Sequence, residues 1–172
     1  MEQCQFCGSN NVRQLSVNHM SVLECQLCGE YSGPSDGIEI MRDLSNADQR
    51  GIDLDIYPLV KLLESINGFR VSSATSGDAD LLIPPFVAFT VQSSEIKWLE
   101  KLLSSLRHIA DKCHTRWIIQ VTMQKQLTFE MKPNFAVLGD SLNRFDIRHA
   151  IEDLPMLEQT LARDMHLSWW NK

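Results

Sequence analysis

Four of the five cysteines form two closely similar pairs near the start of the chain. Residues 4–8 read CQFCG and residues 25–29 read CQLCG, so the overall spacing is C-x2-C-x17-C-x2-C. A tight turn with two residues between its cysteines aims both thiolates at one ion, and two such turns complete a tetrahedron. The glycine after each pair tolerates the left-handed backbone that closes the turn. This spacing predicts one zinc ion per chain, bound by Cys4, Cys7, Cys25 and Cys28.

Other chemistry of paired cysteines fits this pattern less well. A redox C-x-x-C motif usually occurs once, beside a βαβ pattern, whereas this chain has two copies and no such pattern. Structural disulfides are typical of exported proteins, and we see neither the basic start nor the apolar core of an export signal. Rubredoxin-type iron uses similar paired turns, so the spacing alone leaves iron open beside zinc.

A closed set of four thiolates indicates a structural metal rather than a catalytic one, because no coordination position is left for substrate or water. We therefore expect no catalysis at the metal. His19 lies between the two pairs and is an alternative ligand. A solvent-exposed histidine in a turn is the favoured interpretation.

The segment around the cysteines is expected to be a small β-sheet. Val12–Val17 and residues 21–24 are predicted to form a hairpin through Asn18, His19 and Met20. With a CxxCG knuckle on either side of this hairpin, residues 1–36 resemble the zinc-ribbon fold. The resemblance implies one zinc ion held by the four cysteines.

The loop from Ser72 to Asp80 (SSATSGDAD) is the most suggestive segment outside the cysteines. It follows a predicted strand and offers hydroxyls and backbone N–H groups to a ligand. It lacks the lysine of a phosphate-binding P-loop and the spacing of a dinucleotide fingerprint. A plain surface turn is the favoured interpretation. As a binding site, it would use Ser73, Thr75, Ser76 and Asp78.

The same loop carries a second resemblance. Residues 66–69, the loop and residues 86–89 resemble small α+β proteins with a strand, a Ser-Cys-x-Gly loop and a second strand. The tRNA wybutosine-synthesis methyltransferase-like family has such a loop. Here Thr75 stands at the cysteine position and Asp78 follows Gly77. These departures remove the reactive groups, so we carry over no activity.

The remaining polar groups are expected to have structural roles. Cys113 and His114 are neighbours at the start of a predicted strand, where adjacent side chains point to opposite faces and do not form a nucleophile–base pair. Asp153 is interpreted as a solvated helix charge. Trp169 and Trp170 are either a partner anchor or a segment docked on the parent domain.

Hydrophobic periodicity outlines the elements of the larger part of the chain. Apolar residues at helical spacing predict helices over residues 56–66 and 96–110. Strict alternation predicts a strand at Trp117–Met123 and a second at residues 127–131, joined as a hairpin around Lys125 and Gln126. Residues 69–73 and Phe86–Val91 are further predicted strands. Residues 141–167 are predicted to be helical, with a break at Pro155.

Composition and charge exclude several classes of protein. With 44% hydrophobic and 22% charged residues, the chain is neither disordered nor collagen-like. No apolar run approaches the ~18 residues of a membrane span, so we expect a cytoplasmic protein. Residues 1–57 hold three basic and nine acidic side chains, whereas residues 58–172 hold thirteen of each sign. An acidic N-terminal half repels a phosphate backbone and argues against nucleic acid as a partner.

The sequence therefore predicts an α+β protein with three parts. Residues 1–36 are a zinc ribbon, residues 37–53 a linker or an edge strand, and residues 54–172 a mixed α+β domain with an antiparallel hairpin and about three helices. We expect a non-enzymatic binding or regulatory module in which structural zinc stiffens an acidic protein-docking ribbon. The alternative is an enzyme, acting on RNA or a small molecule, with its site at the loop from Ser72 to Asp80. Nucleic-acid binding is a third interpretation, through a basic helix face at Lys97, Lys101, Arg107 and Lys112.

Overall fold

The computed structural model describes residues 3–123, 127–135 and 142–165 of the 172-residue chain. The chain divides into two compact units, Met1–Gly51 and Ile52–Lys172. Helices accompany an antiparallel sheet in each unit, so the predicted α+β class is confirmed. Within the described residues, no helix is both long enough and apolar enough to cross a bilayer.

The first unit contains a three-stranded antiparallel sheet. Its strands are β1 (Val12–Val17), β2 (Met20–Cys25) and β3 (Tyr31–Ser32), in the order β1-β2-β3. Asn18 and His19 both have positive φ, 46° and 65°, as a two-residue type I′ hairpin turn requires. The predicted hairpin is therefore present.

A helix, α1 (Ser35–Arg50), follows β3. The prediction of a linker or an edge strand over residues 37–53 is therefore wrong for residues 37–50. The stretch GIEIMRDL alternates like a strand, but Gly37, Ile40, Leu44 and Ala47 also recur at helical spacing, and α1 packs on the sheet. The approach is close at Gly37, where a Cβ would lie 2.7 Å from Cγ2 of Val22. Gly51 ends the helix in a left-handed conformation, with its N–H donated to the carbonyls of Ala47 and Asp48.

The second unit is built on a four-stranded antiparallel sheet of order β4-β5-β7-β6. Its strands are β4 (Phe69–Thr75), β5 (Phe86–Val91), β6 (Trp117–Met123) and β7 (Leu127–Pro133). Strands β6 and β7 pair in regular register from Trp117 opposite Pro133 to Met123 opposite Leu127, as the predicted hairpin requires. The expected turn at Lys125 and Gln126 lies outside the described residues.

Four helices of the second unit are described, one more than expected. They are α2 (Tyr57–Ser65), α3 (Ile96–Ile109), α4 (Arg144–Glu152) and α5 (Leu154–Asp164). The predicted break at Pro155 is present, because α4 ends before Asp153 and Pro155 lies in the first turn of α5. Helix α2 packs on β4 and α5, and α3 packs on β6 and α5.

The core of the second unit lies between these helices and one face of the sheet. Phe69, Phe89 and Phe129 stack across three neighbouring strands, with ring centroids 5.4 and 5.8 Å apart. Buried aliphatic residues of the helices cover this aromatic row, among them Leu59, Leu63, Leu102, Ile109, Leu157 and Leu161. A continuous apolar core of this kind stabilises the second unit through the hydrophobic effect.

Candidate metal centre

Each cysteine pair forms a tight turn closed by the backbone. The N–H of Gly8 donates to the carbonyl of Cys4 at 2.9 Å, and the N–H of Gly29 donates to the carbonyl of Cys25 at 2.8 Å. Both glycines are left-handed, with φ of 72° and 74°. This conformation favours glycine, so the two CxxCG motifs fold alike for the same local reason.

The sheet of the first unit brings the two turns together. Cys25 is the last residue of β2 and pairs with Val12, the first residue of β1. The N–H of Gln26 donates to the carbonyl of Asn11, which follows the first turn. The hairpin therefore places two turns that are 17 residues apart at one end of the sheet.

The four sulfur atoms have the spacing of a tetrahedral metal site. The Sγ atoms of Cys4 and Cys28 are 3.7 Å apart, those of Cys7 and Cys25 are 3.6 Å apart, and all four lie within 4.8 Å of one another. A tetrahedron with Zn–S bonds of about 2.3 Å has edges of about 3.8 Å. Every one of these cysteines is a free thiol. The residues therefore fit a four-coordinate metal ion.

The electrostatics of the cluster favour a bound cation. Hydrogen bonds from the backbone N–H groups of Cys28 and Leu27 lower the pKa of Cys25 to about 6. The backbone N–H of Glu30 lowers the pKa of Cys28, but desolvation and the neighbouring sulfurs outweigh it and raise that pKa to about 12. Four close thiols cannot all ionise unaided, whereas a metal ion deprotonates the thiols that bind it.

The ligand set is complete with the four cysteines. Cys4 and Cys25 are buried, and Cys7 and Cys28 are exposed. His19 lies in the hairpin turn, is exposed and does not belong to the sulfur cluster. In residues 3–123, 127–135 and 142–165, no other group of three metal-ligating side chains converges. A centre closed by four thiolates holds structure and offers no position for a substrate.

The loop from Ser72 to Asp80 is held by a carboxylate outside it. Asp53 accepts hydrogen bonds from Thr75 Oγ1 at 2.7 Å, from Ser76 N at 2.8 Å and from Ser76 Oγ at 3.1 Å. These bonds, led by the one from Thr75, lower the pKa of Asp53. Asp53 lies 22 residues before Thr75, and no local pattern in the sequence points to it. Two of the predicted ligand-binding residues therefore have an internal partner.

The other two predicted loop residues are placed differently. The carboxylate of Asp78 accepts the N–H groups of Asp80 at 2.8 Å and Leu81 at 3.1 Å, which closes a turn. Ser73 is an exposed residue of β4, opposite Ala88. The loop brings Thr75 and Ser76 together on Asp53 and leaves Ser73 apart from them. Ligand binding by Ser73, Thr75, Ser76 and Asp78 stays a prediction.

The prediction that Asp153 is a solvated helix charge is wrong, because this residue is buried, with 2% of its surface exposed. Its carboxylate accepts the N–H groups of His114 and Thr115 at 2.7 and 2.9 Å, the Thr115 hydroxyl at 2.5 Å and Nε1 of Trp117 at 3.3 Å. It therefore anchors the segment that leads into β6. Desolvation, reinforced by the charge of Asp153, raises the pKa of Cys113 to about 11, which keeps this thiol protonated at neutral pH.

Comparison with known proteins yields no relative: no protein-family model, no curated protein and no solved structure matches the chain. The assignment of the metal centre therefore depends on its own donor atoms and their spacing.

Proposed function

We propose that the first unit is a zinc-stiffened docking module that binds another protein and catalyses no reaction. Zinc is the metal that best suits four thiolates in a tetrahedral, closed arrangement. The proposal extends the resemblance of residues 1–36 to the zinc ribbon. Helix α1 enlarges the module to Gly51, which is the end of the first compact unit.

The observation that carries this proposal is a pair of exposed apolar side chains, one on each knuckle. Phe6 and Leu27 occupy the same position in the two CxxCG motifs and are 63% and 72% exposed. A single exposed apolar residue is ordinary on a protein surface. Two large ones at equivalent positions, each directly before a proposed metal ligand, present apolar area on both knuckles that a partner can cover.

Charge defines the chemistry of the expected partner. The first unit holds seven acidic and three basic side chains. Glu24 and Glu30 flank the second knuckle, where Glu24 accepts a hydrogen bond from Gln26 and Glu30 pairs with Arg42. A partner surface with an apolar centre and a basic rim complements this unit. Nucleic acid is disfavoured, and we expect it to bind no more tightly than about 1 µM at about 150 mM salt.

The test compares the zinc-loaded chain with a double variant, Phe6→Ser with Leu27→Ser. Proteins are cross-linked to the chain in native extract, and each captured protein is purified and its Kd measured. Burying two such side chains contributes about 1.5–3 kcal/mol each, so the double variant should bind at least tenfold more weakly.

The matched control is Gln3→Ser with Gln5→Ser, which changes two exposed polar positions of the first knuckle and should leave the Kd unchanged. Equal binding by the two double variants would contradict a knuckle docking surface. Binding that survives removal of zinc would contradict the role of the metal.

A further inference from the structure

The two edges of the sheet in the second unit differ. In β4, the register shifts between Val71 and Ser73, so this edge carries a β-bulge. In β6, all seven residues pair with β7 without interruption. Bulges, prolines and charged side chains are the usual means by which proteins prevent further strand pairing at an edge. The β4 edge has such a device.

Strand β6 has none of these protective features. Its sequence, WIIQVTM, contains no charge, no proline and no glycine. Its second half exposes apolar surface, with Val121 54% and Met123 78% exposed. Within the described part of the chain, β7 is the sole strand paired with β6. An edge of seven regularly paired residues without a bulge, a proline or a charged side chain is a template for another strand.

The hydrogen-bond pattern identifies which backbone groups face outwards. The N–H of Asn134 donates to the carbonyl of Arg116, so these two residues are a hydrogen-bonded pair at the end of the β6–β7 ladder. In an antiparallel pair, alternate residues direct their N–H and C=O groups to the same neighbour. Ile118, Gln120 and Thr122 therefore bond to β7. Ile119 and Val121 direct their backbone groups to the open edge.

A groove runs beside this edge, between α3 and β6. Its volume is about 330 Å³, and its apolar lining includes Leu103, Leu106, Ala110, Trp117 and Ile119. Side chains alternate between the two faces of a strand. A strand added to β6 would therefore place every second side chain against this groove and against the exposed Val121.

Two arginines give the groove a charge. Arg107 of α3 and Arg116, just before β6, line it and are exposed. Among the described residues, neither guanidinium has an acidic partner within ion-pair distance. Guanidinium groups bind carboxylates through charge-assisted and often bidentate hydrogen bonds.

We propose that β6 and this groove bind an extended, acidic segment of another protein by strand addition. The backbone of the segment pairs with the outward groups of Ile119 and Val121. Its alternate apolar side chains enter the groove, and an aspartate or glutamate side chain binds Arg107 and Arg116. The site is separate from the knuckle surface proposed above and uses no residue of the first unit.

The test begins with peptides selected from a random display library on the intact zinc-loaded chain. Selected peptides are synthesised, and their Kd is measured by fluorescence anisotropy. We expect sequences with alternating apolar residues and at least one carboxylate. Val121→Pro removes an outward N–H without breaking the β7 ladder and should weaken binding at least tenfold. Val121→Thr keeps that N–H and alters only the side chain, so it should weaken binding much less than Val121→Pro does.

The charge is tested separately. Arg116→Gln and Arg107→Gln should each weaken binding about tenfold, because each removes a charge-assisted hydrogen bond to the carboxylate of the peptide. Arg148→Gln, an exposed arginine of α4, should have no effect. Should Val121→Pro fail to fold, methylation of alternate backbone nitrogens in the peptide removes the same hydrogen bonds and should abolish binding.

Several results would overturn this proposal. One is a selection that yields no acidic peptide with alternating apolar residues. Another is a peptide Kd that is the same for the Arg116→Gln and Val121→Pro variants as for the wild type. Concentration-dependent dimerisation that Val121→Pro abolishes would assign the edge to a second copy. Peptide binding that appears only after removal of residues 166–172 would assign it to the chain's own segment. Peptide binding by the Phe6→Ser, Leu27→Ser variant should be normal, so this proposal can fail or succeed independently of the knuckle surface.

Discussion

The two units of this chain differ in the size of their apolar cores. Among the described residues, the first unit buries four apolar residues, of which two, Cys4 and Cys25, belong to the candidate metal centre. The second unit buries twenty-six, including the stacked Phe69, Phe89 and Phe129. About fifty residues with so small a core cannot offset the conformational entropy of folding. We therefore expect the first unit to depend on a bound metal ion for its stability, and the second to depend on its apolar core.

The two units also differ in where their apolar side chains lie. In the first unit, Phe6 and Leu27 lie exposed on the outside of the knuckles. In the second unit a buried core contains the stacked Phe69, Phe89 and Phe129, and the carboxylate of Asp153 is buried as well, whereas other apolar side chains, among them Val121 and Met123, are exposed. Perturbations of the metal and of the core should consequently act on separate units.

Removal of the metal should have the largest effect. Structural zinc contributes an apparent ~10–16 kcal/mol near neutral pH, so a strong chelator or Cys25→Ser should unfold the first unit. We expect amide hydrogen exchange to show loss of protection in residues 3–50 and retained protection in the second unit. Elemental analysis should find one zinc, and no iron, per untreated chain.

Cys113→Ser is the matched control for the cysteine substitution and should keep both the metal and the protection of the first unit. Equal loss of protection in both units would show that they form one cooperative structure. That result would refute the division proposed here.

Loss of the buried carboxylate of Asp153 should have the next largest effect on stability. Asp153→Ala leaves two backbone N–H groups, a hydroxyl and an indole N–H without their acceptor, and we expect the second unit to lose about 3 kcal/mol or more of its free energy of unfolding. Asp153→Asn keeps one acceptor oxygen and should lose less. Denaturant unfolding measures the loss, with exposed Glu152→Gln as the control. A zinc content that falls with Asp153→Ala would contradict the independence of the units.

Asp53 should make a smaller contribution to the free energy of unfolding, and this contribution should depend on pH. Its pKa is lowered in the folded chain, mainly by the Thr75 hydroxyl, so its stabilising effect is complete above the unfolded pKa of about 3.9 and is lost as the pH falls through the folded pKa. Because this carboxylate is exposed to solvent, we expect Asp53→Asn to lower the free energy of unfolding by less than about 1 kcal/mol at pH 7. The difference from wild type should vanish in acid.

Glu158 should have the smallest effect on stability. In contrast to Asp53, its ionised carboxylate should destabilise the second unit. Burial raises its pKa, although the charge of Lys61 partly opposes the shift. For a carboxyl group with a raised folded pKa, stability is lost as the pH rises from the unfolded pKa through the folded one. Because Glu158 is partly exposed and therefore screened by solvent, Glu158→Gln should stabilise the second unit by only a few tenths of a kcal/mol at pH 7 and by nothing at pH 3. Thermal unfolding at the two pH values measures this, and a destabilised variant at pH 7 would contradict it.

The sequence by itself determined the features that depend on nearby residues. The CxxCG turns, the hairpin between β1 and β2, and the break at Pro155 each result from backbone constraints that act within a few residues. The alternation in β6 and β7 was also readable, because one face of a half-buried strand must be apolar. A motif that recurs at fixed spacing carries its own geometry, so the convergence of four sulfur atoms could be predicted.

Only the tertiary structure decided the features that depend on distant partners. The stretch after Gly37 has both strand-like alternation and helical spacing, and its packing on the first sheet selects the helix. Asp53 and Asp153 look alike in sequence, yet one is an exposed acceptor for a loop 22 residues away and the other a buried anchor for residues 114–117. Burial and hydrogen bonding of a carboxylate depend on which donors the fold brings to it. Those donors lie far along the chain, beyond the reach of any local pattern.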